Sequence, residues 1–362
     1  MTAEEWGDPP DRPPRRNLAG GQRRTRILRV IRAIVVLVAV AGFGSYLYTN
    51  IEELRHADLH VRWPQAALSF VLMLAYLAGR VLTWQYITVK FGVAIPLRRA
   101  AVSWGISQLG KYIPGKVFYL LGRVYFYAEA GKSKGRTTMA FMVEAVSTML
   151  ASVLTILVAL LLSDIDLPGQ LRTLLLVGLV VFAASLHPRL LEPALNLLLR
   201  KLKRPVVRLG VTYGGMVRIV ALSTANWLVF GLGFYVLINA VHTVEPRHVV
   251  YLAGAISMAS LLGILALVAP SGIGIREGVL TLLLIELMAA PVAALLAVVS
   301  RVWVTLGEGA VIGLAFAMSR RSARDLKSVA ADPQGAEREP FAAPPRHAHR
   351  ASVGGSESWG SS

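Results

Sequence analysis

The segment GKYIPGKVFYLLGR, residues 110–123, decides the fold class, because it places cations and a helix-breaking proline between two long apolar stretches. Gly110, Gly115 and Lys116 fit the G-x-x-x-x-G-K spacing of a nucleotide-binding P-loop. The next residue is Val117, however, where magnesium binding requires the hydroxyl of a Ser or Thr. A long apolar stretch also precedes the segment, in place of the short strand of a soluble α/β domain. A nucleotide-binding loop is therefore not predicted.

The composition is that of an integral membrane protein. The 362 residues are 55% hydrophobic and only 16% charged, whereas a soluble domain carries about 25% charged residues. The net charge of +17 resides mostly in loops and tails, so nucleic acid is not a predicted partner. Cysteine is absent, which excludes disulfides and thiolate metal sites. We find no motif that calls for a cofactor.

Apolar runs define the predicted membrane helices, because crossing a bilayer takes about 20 apolar residues. Uninterrupted runs lie near 28–50, 64–89, 137–162, 167–186, 215–241 and 291–318. Two further regions contain Pro, Gly and charges. Region 100–127 is too short for two crossings and predicts a re-entrant hairpin broken at Pro114 and Gly115. Region 249–289 allows two crossings or one deep hairpin, with its break at Pro270. The predicted fold is all-α, with seven to eight transmembrane helices.

Basic residues predict the orientation, because Lys and Arg favour cytoplasmic loops. They concentrate in the loops 90–99, 131–136 and 187–218, whereas the intervening loops are richer in acidic residues. This asymmetry predicts a multi-pass protein of the plasma (inner) membrane with both termini in the cytoplasm. The two broken elements then enter from opposite sides. That arrangement is typical of an inverted repeat, in which discontinuous helices place a substrate site near the midplane.

The domain organisation follows from the same patterns. We predict a disordered basic N-terminus (1–26), a membrane domain (27–319) and a disordered cytoplasmic tail (320–362). The membrane domain would consist of halves at about 27–186 and 215–319, joined by the cytoplasmic amphipathic segment 187–214. That segment would lie on the inner leaflet or act as a linker without lipid contact.

Charged residues inside the membrane mark the candidate site, because each costs about 2.5–3.5 kcal/mol at the bilayer centre and therefore faces a cavity or a partner. The candidate substrate-binding residues are Lys111, Pro114, Gly115, Lys116, Arg123, Glu144, Pro270, Gly272, Gly274, Arg276 and Glu277. Arg123, Lys116 and Arg276 would hold a phosphate. Glu144 and Glu277 would balance these cations when the site is empty.

Each assignment has an alternative. Lys111 and Lys116 would snorkel to the headgroups if the first hairpin lay shallowly in the membrane. Gly274 and Gly278 form a GxxxG pattern that would serve helix packing. Arg301 and Glu308 would form structural ion pairs or contact substrate. Arg80 and Glu286 receive no role.

The motifs QLGKYIPGKVFYLLGR and APSGIGIREGVL, together with Glu144 in the following span, resemble the lysylphosphatidylglycerol synthase transmembrane-domain family, also called flippase-like. The resemblance covers about residues 28–318. It implies movement of a lipid between leaflets, with the proline, glycine and charged residues of the two motifs as matching positions. No synthase domain is expected in the short segment after the last span, so the protein is not expected to be an enzyme.

The implied partner is an anionic lipid, such as an aminoacylated phospholipid, a glycolipid or a polyprenyl-phosphate-linked lipid. A lipid- or glycan-synthesising enzyme is a second implied partner. Two rival functions stay open. One is an integral-membrane enzyme acting on a lipid-linked sugar or phosphate. The other is an accessory membrane protein that positions such an enzyme.

Overall fold

The computed structural model describes Thr49 and residues 61–111, 117–163, 168–201, 210–266, 272 and 274–331. Nearly all of the predicted first span, 28–50, and the predicted disordered N-terminus lie outside these residues. The chain divides into the units Met1–Met318 and Ser319–Ser362. The second unit is described only over residues 319–331, which are helical and overlap the start of the tail predicted to be disordered.

The described elements are helices, without a strand among them. In chain order they are α1 (Trp63–Lys90), α2 (Leu97–Ser107), α3 (Val117–Glu129), α4 (Lys134–Leu162), α5 (Gly169–Ser185), α6 (Pro188–Lys201), α7 (Tyr213–Val241), α8 (Val249–Leu265), α9 (Ile275–Leu284) and α10 (Ala290–Ala331). Short 3-10 turns follow α2 and precede α8, at Gln108–Lys111 and Pro246–His248.

Five helical segments are long and apolar enough to cross a membrane: Trp63–Lys90, Lys134–Leu162, Tyr213–Val241, Pro246–Leu265 and Ala290–Ser319. Four of them coincide with uninterrupted spans predicted from the sequence. The all-helical, multi-pass membrane class is therefore confirmed. In the predicted span 167–186, the apolar part of α5 is shorter, Arg172–Ala184.

Two of the long helices begin where a hydroxyl group caps the first turn. The Ser133 side chain accepts a hydrogen bond from the Arg136 N–H at the start of α4. The Thr212 side chain accepts from the Gly215 N–H at the start of α7. Such caps satisfy N–H groups that have no partner within the helix, and they fix where these helices emerge from their loops.

Helices α1 and α7 pack antiparallel along their length. The Arg62 N–H, just before α1, donates to the Ala240 carbonyl near the end of α7 (2.8 Å). Halfway along, Asn226 Nδ2 donates to Thr83 Oγ1 (3.0 Å). Gly79 makes room for this amide, because a Cβ on Gly79 would lie 2.0 Å from Asn226 Oδ1. A glycine and one interhelical hydrogen bond thus set the closeness of this pair, as is common between membrane helices.

Contacts near the ends of the long apolar segments define two faces of the helical unit. Arg98 Nη2 donates to the Met318 carbonyl (3.2 Å), which brings the start of α2 beside α10. A Cβ on Gly92 would lie 3.3 Å from Arg136 Nη1, so the loops 91–96 and 130–133 are neighbours. We call this side the basic face, because it carries Lys90, Arg98, Arg99, Lys132, Lys134 and Arg136. The contact between Arg62 and α7 lies at the opposite face.

The two interrupted regions form hairpins that enter from opposite faces. Helices α2 and α3 pack against each other, and their outer ends lie at the basic face. Helices α8 and α9 run antiparallel, since the Tyr251 hydroxyl donates to the Leu283 carbonyl (2.6 Å) near the opposite face. The ten residues of α9 rise only about 15 Å, too little for a crossing. Region 249–289 is therefore a hairpin with one long and one short arm.

Candidate functional site

A cavity of about 420 Å³ lies where the two hairpins approach each other inside the helical unit. The first hairpin contributes Gln108 and Tyr119 to its wall, and the second contributes Gly263 and Arg276. Helices α1, α4, α7 and α10 supply most of the remaining lining, including the aromatic side chains of Tyr76, Phe141, Trp227 and Phe230. Trp104 of α2 adds a further ring from the first hairpin. Residues near both predicted helix breaks thus share one cavity.

The lining is charged. Its ionisable members are three arginines and two glutamates, with a formal balance of 3 − 2 = +1: Arg80, Glu144, Arg276, Arg301 and Glu308. Charges within a membrane protein usually face a cavity or one another, because lipid cannot solvate them. The candidate site is therefore a largely apolar cavity whose wall carries several charged side chains.

Arg123 and Glu144 form a buried ion pair behind the cavity wall. The Arg123 side chain is fully buried, and its Nη1 donates to Glu144 Oε2. Its Nε donates to Ser107 Oγ (3.2 Å), and its Nη2 donates to the Tyr119 hydroxyl (2.6 Å). All three guanidinium nitrogens therefore have partners. Glu144, which the sequence analysis assigns to balance the cations of the site, is thus paired with Arg123.

Aromatic rings enclose the same guanidinium. The Arg123 Cζ lies 4.5 Å from the centre of the Trp84 ring and 4.8 Å from that of Tyr119. Trp104 and Phe141 lie somewhat farther away. Ring faces attract a cation, most strongly where water is absent. These contacts, together with Glu144, explain how a charged side chain occupies a site without solvent.

Glu144 is shared with a second arginine, Arg80 of α1. Arg80 Nη2 lies 3.3 Å from Glu144 Oε1, and its Nη1 donates to the Tyr76 hydroxyl (3.2 Å). The Arg80 side chain is 18% exposed and lines the cavity, whereas that of Arg123 has no exposed surface. Arg80 is the residue of this cluster to which the sequence analysis gave no role. Its charge within an apolar span was the available signal.

A second charged cluster surrounds the start of α9. Gly274 adopts a positive φ of 88° and precedes the helix, and its N–H donates to Glu277 Oε2 (2.7 Å). The other carboxylate oxygen, Oε1, lies 3.6 Å from Arg301 Nη1 on α10. Glu277 therefore caps the helix and contacts a cavity arginine, while its neighbour Arg276 lines the cavity.

Arg276 differs from Arg123 in its hydrogen bonding. It is 7% exposed, and neither its Nε nor its Nη2 has a hydrogen-bond partner among the described residues. Buried donors of this kind are uncommon in folded proteins. A ligand could therefore accept hydrogen bonds from Nε and Nη2 of Arg276 without displacing a protein acceptor from these two atoms.

Glycines allow the second hairpin to close beside Arg276. Gly272 has a φ of 72°, and a Cβ there would lie 2.6 Å from the Gly263 Cα. A Cβ on Gly278, by contrast, would meet nothing within 4 Å among the described atoms. The structure gives no support for helix packing at Gly278, the GxxxG alternative.

Several predicted residues cannot be placed relative to the cavity. The backbone of Lys111 ends the 3-10 turn, but its side chain, Pro114, Gly115, Lys116 and Pro270 lie outside the described residues. Their proposed roles stay predictions. Arg123 is placed, but it does not line the cavity, and direct contact with a phosphate would require its ion pair with Glu144 to open. Within the described part of the chain, no group of three or more potential ligands could hold a metal ion.

The spans, the opposed hairpins and the buried charges define a polytopic helical membrane protein whose helices surround a cavity with charged residues in its wall. Residues 28–307 match the family described as lysylphosphatidylglycerol synthase TM region, and the chain belongs to that family. This membership links the protein to the handling of lipids. No curated protein and no solved structure matches the chain significantly.

Proposed function

We propose that the protein moves an anionic lipid between the leaflets of the plasma membrane. The headgroup would occupy the cavity, while the acyl chains stay in the bilayer. The observation that carries this proposal is the charged cavity of about 420 Å³ reached by hairpins from opposite faces. Its volume lies within the range of small-molecule sites, about 300–1,000 Å³, so a lipid headgroup fits better than a whole lipid.

The charges would act in a definite order. Arg276 would bind the anionic group first, because two of its donors have no partner among the described residues. Arg80 would be a second ligand, released from Glu144 when an anion enters. Arg123 would hold Glu144 in place throughout, since it is buried and fully hydrogen-bonded.

The topology proposed from the sequence complements this mechanism. The basic face would be cytoplasmic, as the distribution of Lys and Arg favours. With both termini on that side, segment 28–50 and α5 would bring the five long helical segments to seven, within the predicted seven to eight. The two hairpins would be counterparts in an inverted repeat. Each hairpin would close the cavity toward one side of the membrane.

The protein would act as a transporter and not as an enzyme. The lipid would be an aminoacylated phospholipid, a glycolipid or a polyprenyl-phosphate-linked lipid, supplied by a lipid- or glycan-synthesising enzyme. Because no nucleotide-binding motif is recognisable in the sequence, we propose downhill movement or coupling to an ion gradient.

The test is lipid translocation in reconstituted vesicles. Phosphatidylglycerol with a fluorescent headgroup-side label is incorporated, and dithionite bleaches the label in the outer leaflet only. Vesicles with the wild-type protein should lose nearly all fluorescence, whereas empty vesicles keep about half. Arg276→Gln should slow the loss, while Arg218→Gln, at an exposed position of α7 outside the cavity lining, should not. Equal bleaching in wild-type and empty vesicles would contradict the proposal.

A further inference from the structure

Two buried side chains from different hairpins line the same cavity, and each carries enclosed hydrogen-bond donors without partners among the described residues. Gln108, at the tip of the first hairpin, is 4% exposed, and Arg276, beside the tip of the second, is 7% exposed. The Nε and Nη2 of Arg276 find no acceptor among the described residues. Gln108 Nε2 makes no hydrogen bond of normal geometry there, and its neighbour is the Tyr119 hydroxyl, which already accepts from Arg123. Both side chains line the cavity.

The arrangement of these donors indicates the chemistry of the missing acceptor. Nε and Nη2 form one edge of a guanidinium group, the edge that binds two oxygens of a phosphate or carboxylate side by side. A buried donor without an acceptor destabilises the folded state. Such donors on two separate elements therefore point to an acceptor-rich group that enters the cavity from outside the protein.

Two carboxylates line the cavity, Glu144 and Glu308, and the charge of Glu144 is neutralised, which favours an anion in the cavity. Glu144 also lines the cavity, but Arg123 and Arg80 both contact it, so its charge is compensated within the wall. An entering oxyanion therefore meets a lining with a formal excess of positive charge. A phosphate has enough oxygens to bind the Arg276 edge and a further donor together.

We propose that a phosphate group accepts hydrogen bonds from Gln108 and Arg276 together, so that its binding links the first hairpin to the second. That this phosphate is the diester of a lipid headgroup rests on the proposed function. Gln108 thereby becomes a binding residue, and occupancy of the cavity couples two elements that enter from opposite faces. An uncharged amide in this role gives sequence reasoning no charge to detect.

The pairing is tested by a double-mutant cycle on ligand affinity. The full-length protein in detergent is titrated with short-chain phosphatidylglycerol, and thermal stabilisation gives the Kd. Gln108→Leu should weaken binding about fivefold, and Arg276→Gln about 10- to 100-fold, the ranges typical of one neutral hydrogen bond and of charged ones. The double variant should lose less than the product of the two, because residues that share one ligand group are coupled.

Matched controls separate this effect from damage to the fold. Gln65→Leu, in the first turn of α1, and Arg218→Gln on α7 lie outside the cavity lining and should leave the Kd unchanged. If Arg276→Gln does not fold, Arg276→Lys keeps the charge but removes the two-nitrogen edge, and it should still weaken binding. The proposed link would be overturned if Gln108→Leu bound lipid with wild-type affinity. It would also be overturned if the loss of affinity in the double variant equalled the product of the losses in the two single variants.

Two further ligands identify the source of the phosphate. Diacylglycerol with the same chains lacks a phosphate, so its binding should not depend on Gln108 or Arg276. Failure of inorganic phosphate to displace phosphatidylglycerol supports a lipid headgroup. If inorganic phosphate displaces phosphatidylglycerol from the wild-type protein but not from Gln108→Leu or Arg276→Gln, the same donors bind free phosphate. If the wild-type protein translocates lipid in vesicles but Gln108→Leu binds lipid with unchanged affinity, this inference alone is overturned. If the wild-type protein does not translocate lipid, the proposed function is overturned.

Discussion

Arg123 and Glu144 form an ion pair in which the arginine side chain has no exposed surface and the glutamate side chain exposes only 4%. Arg80 contacts the same carboxylate from the cavity side. One glutamate therefore serves two arginines, and its loss would leave two cations without their shared anion.

This sharing predicts unequal effects of two charge-removing variants. Glu144→Gln should destabilise the protein by about 3–5 kcal/mol, because removal of one partner leaves buried charge uncompensated. Arg80→Gln keeps the Arg123–Glu144 pair and should cost about 1–2 kcal/mol. Unfolding in detergent, followed by circular dichroism, measures both. An Arg80→Gln variant as unstable as Glu144→Gln would show that Arg123 is not the main partner.

The tip of the second hairpin gives a prediction about two nearby glycines. Gly272→Ala should destabilise by more than about 2 kcal/mol, because alanine disfavours the positive φ and its Cβ would overlap the backbone of Gly263. Gly278→Ala, inside α9 with open space around it, should stabilise by about 0.5–1 kcal/mol. The melting temperatures of the two variants and the wild-type protein in detergent measure both effects. Equal tolerance at both positions would mean that the hairpin does not close as described.

The contact between α1 and α7 predicts that one substitution suppresses another. Gly79→Ala should force Asn226 away from Thr83, since the new methyl group would overlap the amide oxygen. Asn226→Ala removes that oxygen and should cost only about 0.6–1.7 kcal/mol by itself, the range for one hydrogen bond between membrane helices. The double variant should therefore be more stable than Gly79→Ala alone. A double variant less stable than either single one would contradict this packing.

Sequence reasoning located the charged sites better than it located the helix arms. Arg123, Glu144, Arg276 and Glu277 stand out because an ionisable group inside a membrane is costly and needs a partner. The observed pair of Arg123 with Glu144 follows that logic. Arg80 is also a charged residue within a predicted span. Whether its side chain faces the cavity depends on how α1 packs against the other helices, and the apolar run of α1 alone does not predict that packing.

Other features depend on contacts distant in the sequence. The second hairpin, whose short arm is α9, closes because the backbones of Gly263 and Gly272 come into contact. Neither glycine, read alone in the sequence, predicts that contact. Gln108 carries no charge, so hydropathy gives it no weight. Pro114 and Lys116 were prominent in the sequence, but their positions lie outside the described residues.

The central claim, that the cavity is open to water and accepts an anionic headgroup, is tested most directly by cysteine labelling, which the cysteine-free chain permits. Ser260 lines the cavity, whereas Ser257, one turn earlier on α8, is fully buried and bonded to the Ala253 carbonyl. In vesicles, a charged thiol reagent should modify Ser260→Cys at least tenfold faster than Ser257→Cys, and phosphatidylglycerol should slow the reaction relative to diacylglycerol. Equal rates at the two positions, or no protection by the anionic lipid, would contradict the account.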